Sequence, residues 1–151
     1  MRRLVGALAA LLAIACGRAE RAPAPLVDAR LGVFFGGQVQ ERDEIPFELD
    51  RTRQSQGFRL DLSRVEPKAH HVRWEIERPP GKPGARRVTA LADADLRPEQ
   101  ARFDQLIAFQ PGDPLGLWNV RVLLDGEIVL DRAILVYDAA ARRRALADGG
   151  A

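Results

Sequence analysis

The sequence predicts an all-β fold, a single antiparallel sandwich of about seven short strands, and three observations carry that expectation. Apolar residues alternate with polar ones at Phe58, Leu60 and Leu62, at Val72, Trp74 and Ile76, and at Trp118, Val120, Val122 and Leu124. A period of two puts successive side chains on opposite faces of a strand, so each run has one face to bury. Turn formers break the chain at short intervals, above all Pro79-Pro80-Gly81-Lys82-Pro83-Gly84 and Asp125-Gly126. Residues 27–138, about 110 in number, match the size of one small sandwich.

Ahead of that domain the pattern is different. Arg2 and Arg3 precede an apolar run over residues 4–15, too short for the roughly twenty residues that span a bilayer. A positive start, a short apolar stretch and small residues before a cut are the layout of an export signal, here residues 1–15. Ala13-Ile14-Ala15-Cys16, which holds the one cysteine of the chain, resembles the lipobox of bacterial lipoprotein precursors. The resemblance implies cleavage between Ala15 and Cys16 and a lipid on Cys16. Two or more acyl chains give stable attachment where one gives only marginal binding. Gly17 stands where the family's inner-membrane retention signal has Asp, which favours the outer membrane and its periplasmic face. Ala13-Ile14-Ala15 also fits ordinary signal peptidase, so a soluble periplasmic or secreted protein is the alternative. Residues 16–26, with Pro23 and Pro25, read as the lipidated N-terminus and a flexible tether.

The strands follow in order. Residues 31–40 read as one strand with Val33 and Phe35 on one face and Phe34 on the other, Gly36-Gly37 marking a bulge or a switch between sheets. Residues 45–49 form a short strand in which Pro46 favours an edge. Phe58 to Leu62 and Val72 to Ile76 are half-buried strands, and residues 88–91 a weaker one. Residues 96–109 fit both periods. The preferred reading is a helical turn near Pro98, then a strand from about Phe103. Asp125-Gly126 between two apolar runs marks a two-residue hairpin, since both turn positions tolerate positive φ. A bulge is expected near Asp131-Arg132. Residues 139–151 read as a flexible or short helical tail.

In its details this pattern resembles immunoglobulin-like and fibronectin type III-like domains. Val72-Arg73-Trp74-Glu75-Ile76 corresponds to a third strand with its buried tryptophan, and residues 116–137 to a closing hairpin. The family's disulfide is absent. The resemblance is architectural and implies a fold, not a chemistry.

Charge and composition exclude more than they assign. The chain has 23 Lys and Arg against 21 Asp and Glu. Loss of Arg2 and Arg3 with the signal would leave the two signs balanced. Arg86-Arg87 and Arg142-Arg143-Arg144 are short and carry no interleaved aromatics, so no nucleic-acid partner is expected. With Cys16 lipidated, no cysteine is left for a disulfide or a thiolate metal site. His70 and His71 are adjacent, and on a strand they point to opposite faces and cannot grip one ion together. Motifs for zinc, calcium, phosphate loops or a serine nucleophile are missing, and the serines are Ser55 and Ser63 alone. No enzyme, metal or cofactor is expected.

Two readings of function remain. The first is a non-catalytic, lipid-anchored envelope protein whose sandwich meets other envelope proteins in an accessory or assembly role. Its candidate interaction edge is Phe34, Phe35, Gly36, Gly37 and Gln38, able to accept a further strand. The alternative is a module that binds glycan or peptidoglycan fragments, with Trp74 or Trp118 as a stacking platform.

Overall fold

The computed structural model describes residues 26–50 and 52–148. The expectations placed on residues 1–15 and on Cys16 lie outside the described residues. Nine strands form two packed sheets: β1 Asp28–Phe35, β2 Gln38–Glu41, β3 Glu44–Pro46, β4 Gln56–Asp61, β5 His70–Arg78, β6 Val88–Leu96, β7 Arg102–Leu106, β8 Gly116–Leu124 and β9 Glu127–Tyr137. One sheet has the order β2-β1-β4-β7, and the other has the order β3-β9-β8-β5-β6. Neighbours are antiparallel except β3, which lies parallel to β9 through Glu44, Ile45 and Pro46.

The alternating positions are the ones buried between the sheets. Leu31, Phe58 and Leu60 come from the first sheet, and Val72, Ile76, Trp118, Val120, Val122, Leu130, Ile134 and Val136 from the second. Trp118 sits at the centre at 0% exposure. Its indole N–H donates to the Pro114 carbonyl at 2.9 Å, so its polar edge is satisfied inside the core. Phe109 meets the Trp118 ring edge-on at a centroid distance of 5.4 Å. Phe58 reaches across to Trp74 at 5.9 Å.

Four local expectations need correction. Residues 31–40 are not one bulged strand. Gly36 and Gly37, at φ 56° and 76°, close a two-residue hairpin between β1 and β2, the turn geometry that matches strand twist. The bulge in β9 is not near Asp131. The register steps between Val122/Leu123, which face Leu130 and Ile128, and leaves Val129 as the extra residue. The weak strand at residues 88–91 runs on as β6 to Leu96. The short strand at 45–49 ends at Pro46, because Phe47 turns its N–H to the Tyr137 carbonyl. The stretch 96–109 resolves as a single turn, with the Gln100 N–H on the Arg97 carbonyl, followed by β7. Asp125 and Gly126, at φ 52° and 88°, form the expected hairpin turn. After β9 comes a helix, α1 Ala139–Asp148, with no buried residue. The Asp138 carboxylate caps it by accepting from the N–H groups of Ala140 and Ala141.

Two facing positions of the first sheet, Gly32 and Gly57, have no room for a side chain. Gly32 faces Glu41 on one side and Gly57 on the other, and Gly57 faces Leu106, so the row they share crosses every strand. A Cβ on Gly32 would lie 2.0 Å from the Gln40 carbonyl oxygen, and one on Gly57 would lie 2.1 Å from that of Gln105. Both obstacles are backbone and cannot swing aside. Gly32→Ala should therefore lose about 1–3 kcal/mol or more, read as a lower denaturant midpoint. Gly81→Ala, where a Cβ would meet nothing within 4 Å, should stay within about 0.5 kcal/mol of the parent.

Candidate functional site

The expected interaction edge falls on the β1–β2 hairpin. Phe34 and Phe35 end β1, Gly36 and Gly37 turn, and Gln38 opens β2. β1 itself is not an edge, because β2 and β4 pair with it on its two sides, so the strand open to solvent there is β2. Leu31, Val33 and Phe35 share the core-facing side of β1. The last of them passes the end of the core, and its ring is 71% exposed. Phe34 points to the outward side, beside Val39, its cross-strand partner.

Sequence reasoning missed what holds this hairpin. Arg59 alternates with Phe58 and Leu60 and so points outward, where a charged residue reads as a solvated one. It is instead buried, at 7% exposure. Its Nε and Nη2 donate to the two carboxylate oxygens of Asp104 at 2.6 and 2.7 Å, a bidentate pair between directly facing residues of β4 and β7. Its Nη1 donates to the Gly37 carbonyl at 2.8 Å. Its guanidinium carbon stands 5.3 Å from the centroid of the Phe34 ring. Asp104 holds the Arg59 pKa above its ordinary value, and burial opposes that only in part. One side chain thus crosses the outward face of the sheet and fixes the turn. The only signal in the sequence is a pair of opposite charges, Arg59 and Asp104, far apart in the chain and visible as partners only once register is known.

His70 and His71 stand at the opposite end of the second sheet, on opposite faces of β5. The buried His70 donates from Nδ1 to Asp125 Oδ2 at 2.7 Å and from Nε2 to the Glu66 carbonyl at 2.9 Å. Two acceptors and no donor surround the ring, so only the imidazolium, with a proton on each nitrogen, satisfies both. Its pKa is raised, chiefly by the Asp125 hydrogen bond, against desolvation and the Lys68 charge. Asp125 is held below the ordinary carboxylate value, first by the His71 backbone N–H and then by the His70 ring. The exposed His71 ring donates to Asp95 at 2.9 Å, which also raises its pKa. Together these contacts tie the β8–β9 turn to the start of β5. Among the described residues no group of three metal-ligating side chains converges on one point.

Two outcomes follow from these clusters. Arg59→Ala should speed amide exchange at Gln38 and Gln40, the β2 residues whose N–H groups face β1, by roughly tenfold or more, the scale of one lost charge-assisted hydrogen bond. The same substitution should leave exchange at Trp118 and Val120 far less changed. A variant with equal acceleration throughout would show that Arg59 acts on the whole fold. For His70 the folded pKa lies above the ordinary 6.5, so its contribution is complete below 6.5 and is lost as pH rises through the raised value. For Asp125 the folded pKa lies below 3.8, so its contribution is lost only as pH falls into that range. Denaturation midpoints should decline from pH 6 towards pH 9, and His70→Gln should flatten that decline.

No protein-family model matches the chain, and no curated protein matches it. Among solved structures, an immunoglobulin-like protein of Pseudomonas aeruginosa, PA1606, is similar over 78% of this chain and 100% of its own, with a TM-score of 0.52 and 20% identity. The alkylpurine DNA glycosylase AlkC of Pseudomonas fluorescens, bound to DNA containing an abasic site analogue, is similar over 74% of this chain and 30% of its own, with a TM-score of 0.40 and 16% identity. The second likeness is too weak to carry an argument. The first is a likeness of architecture: the described strands form an immunoglobulin-like β-sandwich.

Proposed function

We propose that this chain is a non-catalytic, lipid-anchored cell-envelope protein that presents the β1–β2 hairpin to another envelope protein, in an accessory or assembly role. The observation that carries the reading is Phe35, an exposed aromatic at the tip of a hairpin that Arg59 holds in place. An aromatic anchor on a preorganised turn loses little conformational freedom on binding, which is where interface energy concentrates. The anchor rests on the lipobox resemblance at Ala15 and Cys16, and the balanced charge of the chain beyond it favours a protein partner over a polyanion. Asp28 opens β1 and Phe35 ends it, an order that supports the reading.

The tryptophans bear on the carbohydrate alternative. Trp118 is fully buried, and the half-buried Trp74 packs against Phe58 and Phe103. Neither lies flat and open over a concave floor, as a sugar platform requires.

Crosslinking mass spectrometry on the lipidated protein in its native membrane tests the reading. It should return one recurrent protein partner with links near residues 34–38, and lose it with Cys16→Ser. Phe35→Ser should cut capture of that partner by roughly tenfold or more. Its melting temperature should barely move, because the ring is already in solvent. Undiminished capture with Phe35→Ser would remove the hairpin from the reading. Absence of any protein partner, with the chain still membrane-bound, would turn the assignment to glycan fragments.

A further inference from the structure

The longest open edge of the molecule is not the hairpin but β6. It is the outermost strand of the five-stranded sheet, with β5 as its sole sheet neighbour. Its nine residues pair with β5 from Val88 to Leu96 without a register break. The other edges are shorter or interrupted: β2 has four residues, β7 has five, and β3 has three and includes Pro46. Edge strands are usually blunted by proline, lysine, bulges or brevity. β6 has no proline, lysine or bulge, its charges are Asp93 and Asp95 alone, and Val88 and Leu91 are each 58% exposed along it. A leucine in that position is out of keeping with its surroundings, since the neighbouring residues on the same outward face are Arg73, Glu75 and Asp93.

We infer that β6 is a self-association edge, which pairs antiparallel with the β6 of a second copy about a two-fold axis at Leu91. The occupant follows from how the strand reads against itself. With Leu91 facing Leu91, Thr89 faces Asp93, and Arg87 faces Asp95 on both sides of the axis. The two exposed leucines meet, and each exposed acid meets a hydroxyl or a cation. A shift of the axis to Ala92 sets Leu91 against Asp93 and leaves both acids without a cation. A shift to Asp93 sets that acid against its own copy. Like charges directly opposite destabilise a strand pair and opposite charges stabilise it. An axis at Ala90 also gives an acid a cation, Asp93 against Arg87, but parts the leucines, so the axis at Leu91 alone meets both conditions. Both charged groups keep open surface beyond their partners within one copy: Asp95, held by His71, is 90% exposed at its side chain, and Arg87, beside Glu77, is 49% exposed. An isologous contact of this kind closes on itself and makes a dimer with one sheet continuous through both copies. It uses neither Phe35 nor the lipid, so it stands or falls apart from the hairpin reading.

The test is disulfide trapping of the full chain in its own membrane under mild oxidation. Leu91→Cys should give a disulfide-linked dimer that the unsubstituted chain, with Cys16 alone, does not give. Ile128→Cys, equally exposed but on β9, should not. Adding Asp95→Arg to Leu91→Cys should cut the trapped dimer by roughly fivefold, the scale of two cross-strand charge pairs turned from attraction to repulsion. Further addition of Arg87→Asp should restore it, because the pairs are then rebuilt with signs exchanged. The inference is overturned by an absent Leu91→Cys dimer, by equal trapping at Ile128→Cys, or by a disulfide to a different protein in its place. A double reversal that fails to restore the dimer overturns it as well.

Discussion

Every feature of this molecule depends on apolar contact between two sheets that no covalent bridge joins. The chain has one cysteine, ahead of the domain, so no disulfide can staple one layer to the other. The contact is made by a few large side chains. Phe58 crosses to Trp74, Phe109 packs on Trp118, and aliphatic residues of β8 and β9 fill the space around them. Truncating one such aromatic in a core costs about 3–5 kcal/mol, against a total stability of about 5–15 kcal/mol for a domain. The interlayer is therefore close to its minimum. The polar work of the fold is done at its margins, where it does not compete with this contact.

Arg59 and His70 show how that margin is used. Each is a charged group taken largely out of water, and each is satisfied by a carboxylate and a backbone carbonyl. The carboxylate compensates the charge and the carbonyl ties the group to a turn. One fixes the β1–β2 turn at one end of the first sheet. The other fixes the β8–β9 turn at one end of the second. Surface ion pairs such as Arg121 with Asp131 are open to solvent and contribute little by comparison.

Legibility in the sequence followed the burial of one face. Where a strand covers the core with large residues, as at Trp118, Val120, Val122 and Leu124, alternation placed both the strand and its inward side. β6 gives a weak signal because most of its inward positions are alanines, Ala90, Ala92 and Ala94, which face Ile76, Trp74 and Val72 but add little apolar surface of their own before the buried Leu96. Gly36-Gly37 reads in the sequence as a bulge or a switch between sheets because glycine pairs serve these and turns alike, and hydrogen bonding to a returning strand alone separates them. The bulge at Val129 was displaced for a related reason: Ile128, Val129 and Leu130 are all apolar, so composition does not say which one is extra. Among the candidate site residues the sequence named Phe34 to Gln38 as a group. It gave no hint of the Arg59 clamp, since cross-strand partners forty-five positions apart are joined only by register.

The placement of the hairpin on β1 has a mechanical consequence. Phe35 and Asp28 are the two ends of the same strand. A pull applied at Phe35 and resisted at Asp28 travels down the covalent backbone of β1. The hydrogen bonds to β2 and β4 lie across that line, and the apolar contact between the sheets lies off it altogether. Tension applied between Asp28 and Phe35 is thus borne by peptide bonds, and the core carries almost none of it.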